Sequence, residues 1–325
     1  MGALGSGGRR LDLRVPPADA GARLADALER WLATALGRPV PRARVRALVA
    51  AGQVRVDGAV LRAAGRPLRP GQRVEAVVRP ELLRPRAERT DRPFRLTERA
   101  VLFRDSALLA VDKPPGLPTH ATADPTRPSL VAHVERYLRE LGGGSYVGVH
   151  QRLDRDTSGV VLFATDERAN AGLARAFEGR GVEKTYVALV ARPRAIPRGP
   201  LLLRRPLGSP GPGRRPATVG GEGAKPAETE VVVCEVLPDA LLVEARPRTG
   251  RRHQVRVHLA HAGMPILGDP VYGDAGERAP RLMLHARRLG IPHPLTGEPL
   301  VIESPLPEDM LALLARLRTA SGPAG

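Results

Sequence analysis

Apolar residues recur with two different periods along the chain, and the switches between them mark its elements. Over residues 22–32, Leu24, Ala27, Leu28, Trp31 and Leu32 fall on one helical face. Pro41 suits the first position of a second helix. Its apolar stripe is Val45, Leu48 and Val49, with Arg42, Arg44 and Arg46 mostly outside it, and Gly52 stands where a helix C-terminal glycine belongs. The period then drops to two. Residues 54–56 and 59–61 read as strands around an Asp57-Gly58 turn, and Pro70-Gly71 turns the chain before a third strand at 74–78. Residues 1–17, Gly-rich and then Arg- and Pro-rich, are expected to be disordered. Residues 80–98 carry Pro, Arg and Glu without a period and are expected to be a linker.

A second, larger domain is expected over residues 99–320. Short apolar strands flank Asp105-Ser106, residues 129–141 are an amphipathic helix, and an apolar run follows Gly159. A helix is predicted at 167–177, strands at 184–190, 230–236 and 241–245, and a helix at 254–262 ended by Gly263. Residues 204–228, rich in Gly, Pro and Arg, are expected to be mobile. The mixture is α+β, not strict βαβ alternation: a small α+β domain ahead of a larger domain of the same class.

Charge narrows the partner. The 325 residues hold 51 Lys and Arg against 34 Asp and Glu, a formal net charge of +17. An excess this large is most simply matched by a polyanion, with nucleic acid first and an anionic membrane surface second. The single cysteine, Cys234, excludes an internal disulfide and a cysteine zinc site, which suits a reducing cytosol. The first ten residues lack the apolar core of a secretory signal, and no run of eighteen apolar residues exists, so a cytoplasmic protein with no membrane span is expected. Lys113, Lys184 and Lys225 are the only lysines in a chain that otherwise uses Arg, and all three fall in motif-like segments. Lys is not interchangeable with Arg where a compact point charge is needed.

The densest chemistry is the run from His150 to Gly159, His-Gln-Arg-Leu-Asp-Arg-Asp-Thr-Ser-Gly, leading straight into an apolar strand. Taken alone it supports two readings. A carboxylate held at the mouth of a strand beside arginines is a nucleophile or base; Asp, Thr, Ser and Gly also build ordinary turns. Two other segments stand out: Lys184-Thr185-Tyr186-Val187-Ala188, and Thr249-Gly250-Arg251-Arg252-His253-Gln254-Val255-Arg256-Val257-His258 followed by Pro265-Ile266-Leu267-Gly268-Asp269. His253, His258 and His261, with Asp269 and His285, have no metalloprotease spacing, so no metal is expected there.

Together with Asp112-Lys113-Pro114-Pro115-Gly116 and Leu282-Met283-Leu284-His285-Ala286, these ordered motifs make residues 99–305 resemble the RluA-type pseudouridine synthases. The preceding sixty or so residues resemble the small RNA-binding module called the S-four domain, on Arg23, Leu24, Asp26, Arg42, Arg46, Leu48, Gly52, Val54, Val56, Asp57, Gly58 and Gly71. The resemblance implies a mixed, largely antiparallel sheet in the second domain. It implies isomerisation of uridine to pseudouridine in structured RNA, with large-subunit ribosomal RNA expected and transfer RNA as the alternative. A non-catalytic RNA-binding or ribosome-assembly factor on the same fold is a further alternative. Asp154 matches the catalytic aspartate, Tyr186 the active-site tyrosine, Arg256 the arginine that pairs with the aspartate, and Arg152 an arginine that helps displace the target base. Asp156 is read as part of the turn. Lys113, Arg23, Arg42, Arg44, Arg46, Arg251 and His253 are the further expected RNA-binding residues. The reaction involves no redox change or phosphate transfer, so no cofactor is expected, and a monomer is. One departure stands: the family places His directly before Arg-Leu-Asp, whereas here Gln151 intervenes after His150, which leaves open what the histidine does.

Overall fold

The computed structural model describes residues 9–37, 40, 45, 48–49, 52–61, 63–78, 94–121, 128–144, 146–179, 181–208, 217–221, 223–273 and 279–319. The chain divides into two compact units, one up to Pro93 and one from Phe94 onward.

In the first unit, β1 (Arg9–Arg14), α1 (Leu24–Leu36), β2 (Val54–Val56), β3 (Ala59–Val60) and β4 (Arg73–Val78) make a four-stranded antiparallel sheet of order β1-β4-β2-β3 with a helix. Leu24, Leu28 and Leu32 from α1 bury themselves with Val45, Leu48 and Val49 and with Val54, Val56 and Val74 of the sheet, the faces that the two periods assign inward. Asp57 and Gly58 both take positive φ, as the tight turn between β2 and β3 demands. Strand β1 departs from the expectation of disorder at residues 9–14, while residues 1–8 lie outside the described residues. Polar and apolar residues alternate over only five positions, Arg10 to Arg14, too short a run to stand out among Gly and Arg, but β4 presents an edge, and six residues pair with it in register. Arg42, Arg44 and Arg46 lie outside the described residues.

The second unit holds β5 (Val101–Arg104), β6 (Leu108–Lys113), α2 (Leu130–Glu140), β7 (Gly148–Val149), β8 (Ser158–Ala164), α3 (Ala169–Glu178), β9 (Glu183–Ala191), β10 (Leu201–Arg204), β11 (Glu228–Val236), β12 (Ala240–Pro247), α4 (Gln254–His261), β13 (Leu284–Pro292), β14 (Pro299–Glu303) and α5 (Glu308–Thr319). Ten strands form one mixed, largely antiparallel sheet of order β10-β11-β12-β9-β13-β8-β6-β5, with β14 on β13 and β7 on β8. The parallel pairing of β13 with β8 joins its two antiparallel halves. Gly159 makes that junction possible: it sits at φ +112°, and a Cβ there would lie 2.2 Å from the Ala286 carbonyl oxygen. Strand β8 is buried along its whole length, which explains its unbroken apolar sequence.

Two segments differ from the sequence expectation. Against the linker expected over 80–98, Leu96 is buried with Leu109, Val134 and Phe163, and the second unit begins at Phe94. Part of 204–228 is fixed: Leu207, Ala217 and Ala227 pack on Val257 of α4, and Leu207 bridges Val219 and Lys225. A few spaced apolar residues suffice for this, and they are hard to see among so many Gly and Pro.

Candidate active site

The loop between β7 and β8 carries Asp154, and the loop after β6 clasps it from behind. Thr119 Oγ1 donates to the Leu153 carbonyl and accepts from the Leu153 amide, at 3.0 and 3.2 Å. The Gly116 amide donates to the Arg155 carbonyl at 2.8 Å. Lys113, wholly buried, spreads its ammonium over the carbonyls of Pro114, Leu117 and Arg155 at 2.9, 2.9 and 3.0 Å. This overturns the expectation that Lys113 binds RNA: the side chain is sealed from any ligand and ties the two loops together. The point charge that singled it out is used on backbone oxygens. Asp156 is buried beside Arg155 and is not among the residues lining the cleft in front of Asp154, so the two carboxylates part as expected.

Arg256 reaches Asp154 from the first turn of α4. Its guanidinium grips Asp269 with two parallel hydrogen bonds, from Nε and Nη2, each 2.8 Å. The remaining Nη1 donates to Asp154 Oδ2 at 2.8 Å. The Arg256 side chain is 6% exposed and that of Asp269 fully buried, against 18% for Asp154. Burial opposes the charge on Arg256, but Asp269 and Asp154 outweigh it and hold the group above the ordinary arginine range. The fork is therefore a fixed cation that leaves one Asp154 oxygen facing the cleft.

That second oxygen, Oδ1, lies 3.6 Å from His253 Nε2. His253 sits at the N-terminus of α4 with φ 56° and ψ 18°, a left-handed conformation that costs a non-glycine residue about 1–2 kcal/mol. Burial holds His253 below the usual histidine range, Asp154 pulls the other way, and Arg256 and Arg252 reinforce the lowering. Its Nδ1 is 2.9 Å from the Tyr272 hydroxyl, which also accepts the Ala217 amide. The neutral tautomer with Nδ1 accepting from Tyr272 turns the Nε2 hydrogen toward Asp154. The Tyr272 ring also lies under the Arg256 guanidinium, 5.1 Å from centroid to carbon. Gln254 locks the start of α4 by accepting from Thr249 and the Arg251 amide and donating to the Glu228 carbonyl and Thr229.

Tyr186, on β9, brings its ring to the same cleft. Burial first, and then the Asp154 charge, raise its phenol above the ordinary range, so it stays protonated. The cleft encloses about 460 Å³. Among its lining residues are Arg152, Asp154, Lys184, Tyr186, Arg251, His253 and Arg256. Arg152 and Arg251 are solvent-exposed at its rim. Of the expected site residues in the second unit, all but Lys113 thus come together; Arg23, exposed at the start of α1, belongs to the first unit. Asp269 and Tyr272 were not assigned roles from sequence, although both stand in the Pro-Ile-Leu-Gly-Asp segment and its continuation. Gly268 at φ +71° permits that turn, since a Cβ there would meet the Arg281 carbonyl oxygen at 1.8 Å. The histidines read together from sequence are dispersed into separate bonds: His258 to Thr229 and the Arg205 carbonyl, His285 to Ser158 and the Ser304 carbonyl. Among the described residues no three His, Cys, Asp or Glu side chains cluster as metal ligands, and no helix is long and apolar enough to cross a membrane.

Residues 107–261 match a family model described as RNA pseudouridylate synthase. The chain is 33% identical over 318 residues to "Ribosomal large subunit pseudouridine synthase C" of Escherichia coli (strain K12), covering 90% of this chain and 93% of that protein. It is 36% identical over 231 residues to "Ribosomal large subunit pseudouridine synthase D" of Nitrosomonas europaea, covering 67% of this chain and 65% of the relative. Among solved structures it is similar to "Human RNA Pseudouridylate Synthase Domain Containing 4", with 26% identity and a TM-score of 0.57 over 69% of this chain and 95% of that one.

Proposed function

Because the chain belongs to the RluA-type RNA pseudouridine synthases, we propose that it isomerises specific uridines of large-subunit ribosomal RNA, with Asp154 as the catalytic carboxylate. The names of its relatives support ribosomal RNA as the substrate. The net charge of +17 supports a structured polyanion. The uridine must leave its stack to reach the cleft, and the space it vacates is assigned to the exposed guanidinium of Arg152, which lines the cleft.

The observation that carries the reading is the 2.8 Å bond from Arg256 to Asp154 in a cleft that also presents Tyr186. The reaction breaks the bond between uracil N1 and the ribose, turns the base, and joins C5 to the same sugar carbon while the C5 proton leaves. Asp154 supplies the carboxylate that attacks or removes a proton. Arg256 and His253 fix its orientation, and the Tyr186 ring gives the detached base a flat surface, with a protonated phenol available for proton transfer. Exposed arginines of the rim, Arg152 and Arg251, and Arg23 of the first unit, read as an S-four-like module, serve the phosphates. Chemical mapping of pseudouridines in ribosomal RNA from cells with and without the protein tests the proposal: one or more sites should vanish in its absence, and an unchanged map would reject ribosomal RNA as the substrate.

A further inference from the structure

Two of the hydrogen-bond donors on the cleft wall, the Lys184 ammonium and the Gln151 amide, have no acceptor among the described residues. Lys184 stands two residues before Tyr186 on β9, so both side chains leave the same face of the sheet, and both line the cleft. The Lys184 ammonium lies 5.0 Å from the centre of the Phe177 ring. Among the described residues it makes no hydrogen bond or ion pair, and burial alone, with no carboxylate opposing it, pulls it below the ordinary lysine range. Gln151 lines the same cleft, and its side-chain nitrogen is closed to water and lacks any hydrogen-bond partner. Gln254, by contrast, uses both ends of its amide within the protein. The neighbour of Gln151, His150, is already occupied, with Nε2 donating to Asn170 at 2.9 Å and the ring parallel to Phe177. The residue that interrupts the family's pattern thus carries a donor unused among the described residues.

We propose that Lys184 and Gln151 form a phosphate subsite on the Phe177 side of the cleft, which takes the phosphodiester adjoining the uridine at Asp154. This rests on the proposed function. A lysine ammonium is a compact charge suited to a phosphate oxygen, and the face of Phe177 steadies it without using its hydrogens. The Gln151 amide adds a neutral donor by turning about its own side-chain bonds, exchanging an unbonded site for a bonded one.

The test uses the full-length protein and an RNA containing a mapped target uridine, with binding measured against salt and isomerisation followed by tritium release from C5. Lys184→Met should weaken binding about tenfold at low salt and flatten the slope of log K against log salt by about 0.7, one single-strand phosphate contact. Lys184→Arg should keep the slope. Gln151→Met should weaken binding with the slope intact and without lowering Tm, since no bond within the protein is lost. Equal affinity and slope for wild type and Lys184→Met would overturn the subsite. So would a Gln151→Met protein that binds normally but melts earlier. If the wild type releases no tritium, the functional reading fails, whatever the slopes show.

Discussion

Arg256 and Asp154, 102 residues apart in sequence, meet through a single 2.8 Å hydrogen bond, while the same guanidinium is clamped on its other edge by Asp269. The strong grip is on the carboxylate at the back and the single bond on the one facing the cleft. Asp269 therefore aims the arginine. Asp269→Ala leaves a buried guanidinium half-paired and should cost about 3–5 kcal/mol of stability in urea unfolding. Asp269→Asn, which keeps shape and one acceptor, should cost less stability yet lower kcat more than KM changes, as expected of a positioning residue.

Lys113 is predicted to matter for folding rather than for RNA affinity. Lys113→Met strips three partly buried carbonyls of their donor and should lower stability by about 2–3 kcal/mol. At temperatures where the variant is folded, the salt dependence of its RNA binding should match the wild type. A flattened slope would return Lys113 to the RNA surface.

The fold classes of both units were legible in the strand and helix periods, whereas Asp154, Tyr186 and Arg256 stood out together only through the resemblance of their ordered motifs to the family. The rest depends on what neighbours supply. β1 pairs in register with β4, and the short alternation of Arg10 to Arg14 gives only a faint sign of this when read alone. Lys113 and Asp269 look like ligand-binding charges until their partners are known; one is spent on backbone carbonyls and the other on Arg256. The break at Gln151 carried no visible meaning in sequence, since only the fold shows that its amide nitrogen is enclosed and unbonded.

Tyr186 is assigned both a face and a phenol, and the two can be separated. Tyr186→Phe keeps the face and should lower kcat by about 10²-fold or more with RNA binding retained. Single-turnover tritium release alongside filter binding measures both. Retention of full kcat by the phenylalanine variant would leave only the stacking role.

His285 sets an acid limit on stability. Wholly buried between Ser158 and the Ser304 carbonyl, it is pushed down by burial to about 4. The unfolded chain, with an ordinary value near 6.5, binds the proton first. Its contribution is thus complete above pH 6.5 and is lost as pH falls from 6.5 toward 4, amounting to about 3 kcal/mol. Urea unfolding across this window should show a steeper loss for wild type than for His285→Gln; parallel curves would contradict the assignment.

The role of Asp154 is tested most directly by tritium release from RNA labelled at C5 of uracil, comparing wild type with Asp154→Asn at matched RNA binding. The account predicts release by the wild type and none above background by the variant, with RNA still bound. Full turnover by Asp154→Asn would contradict it.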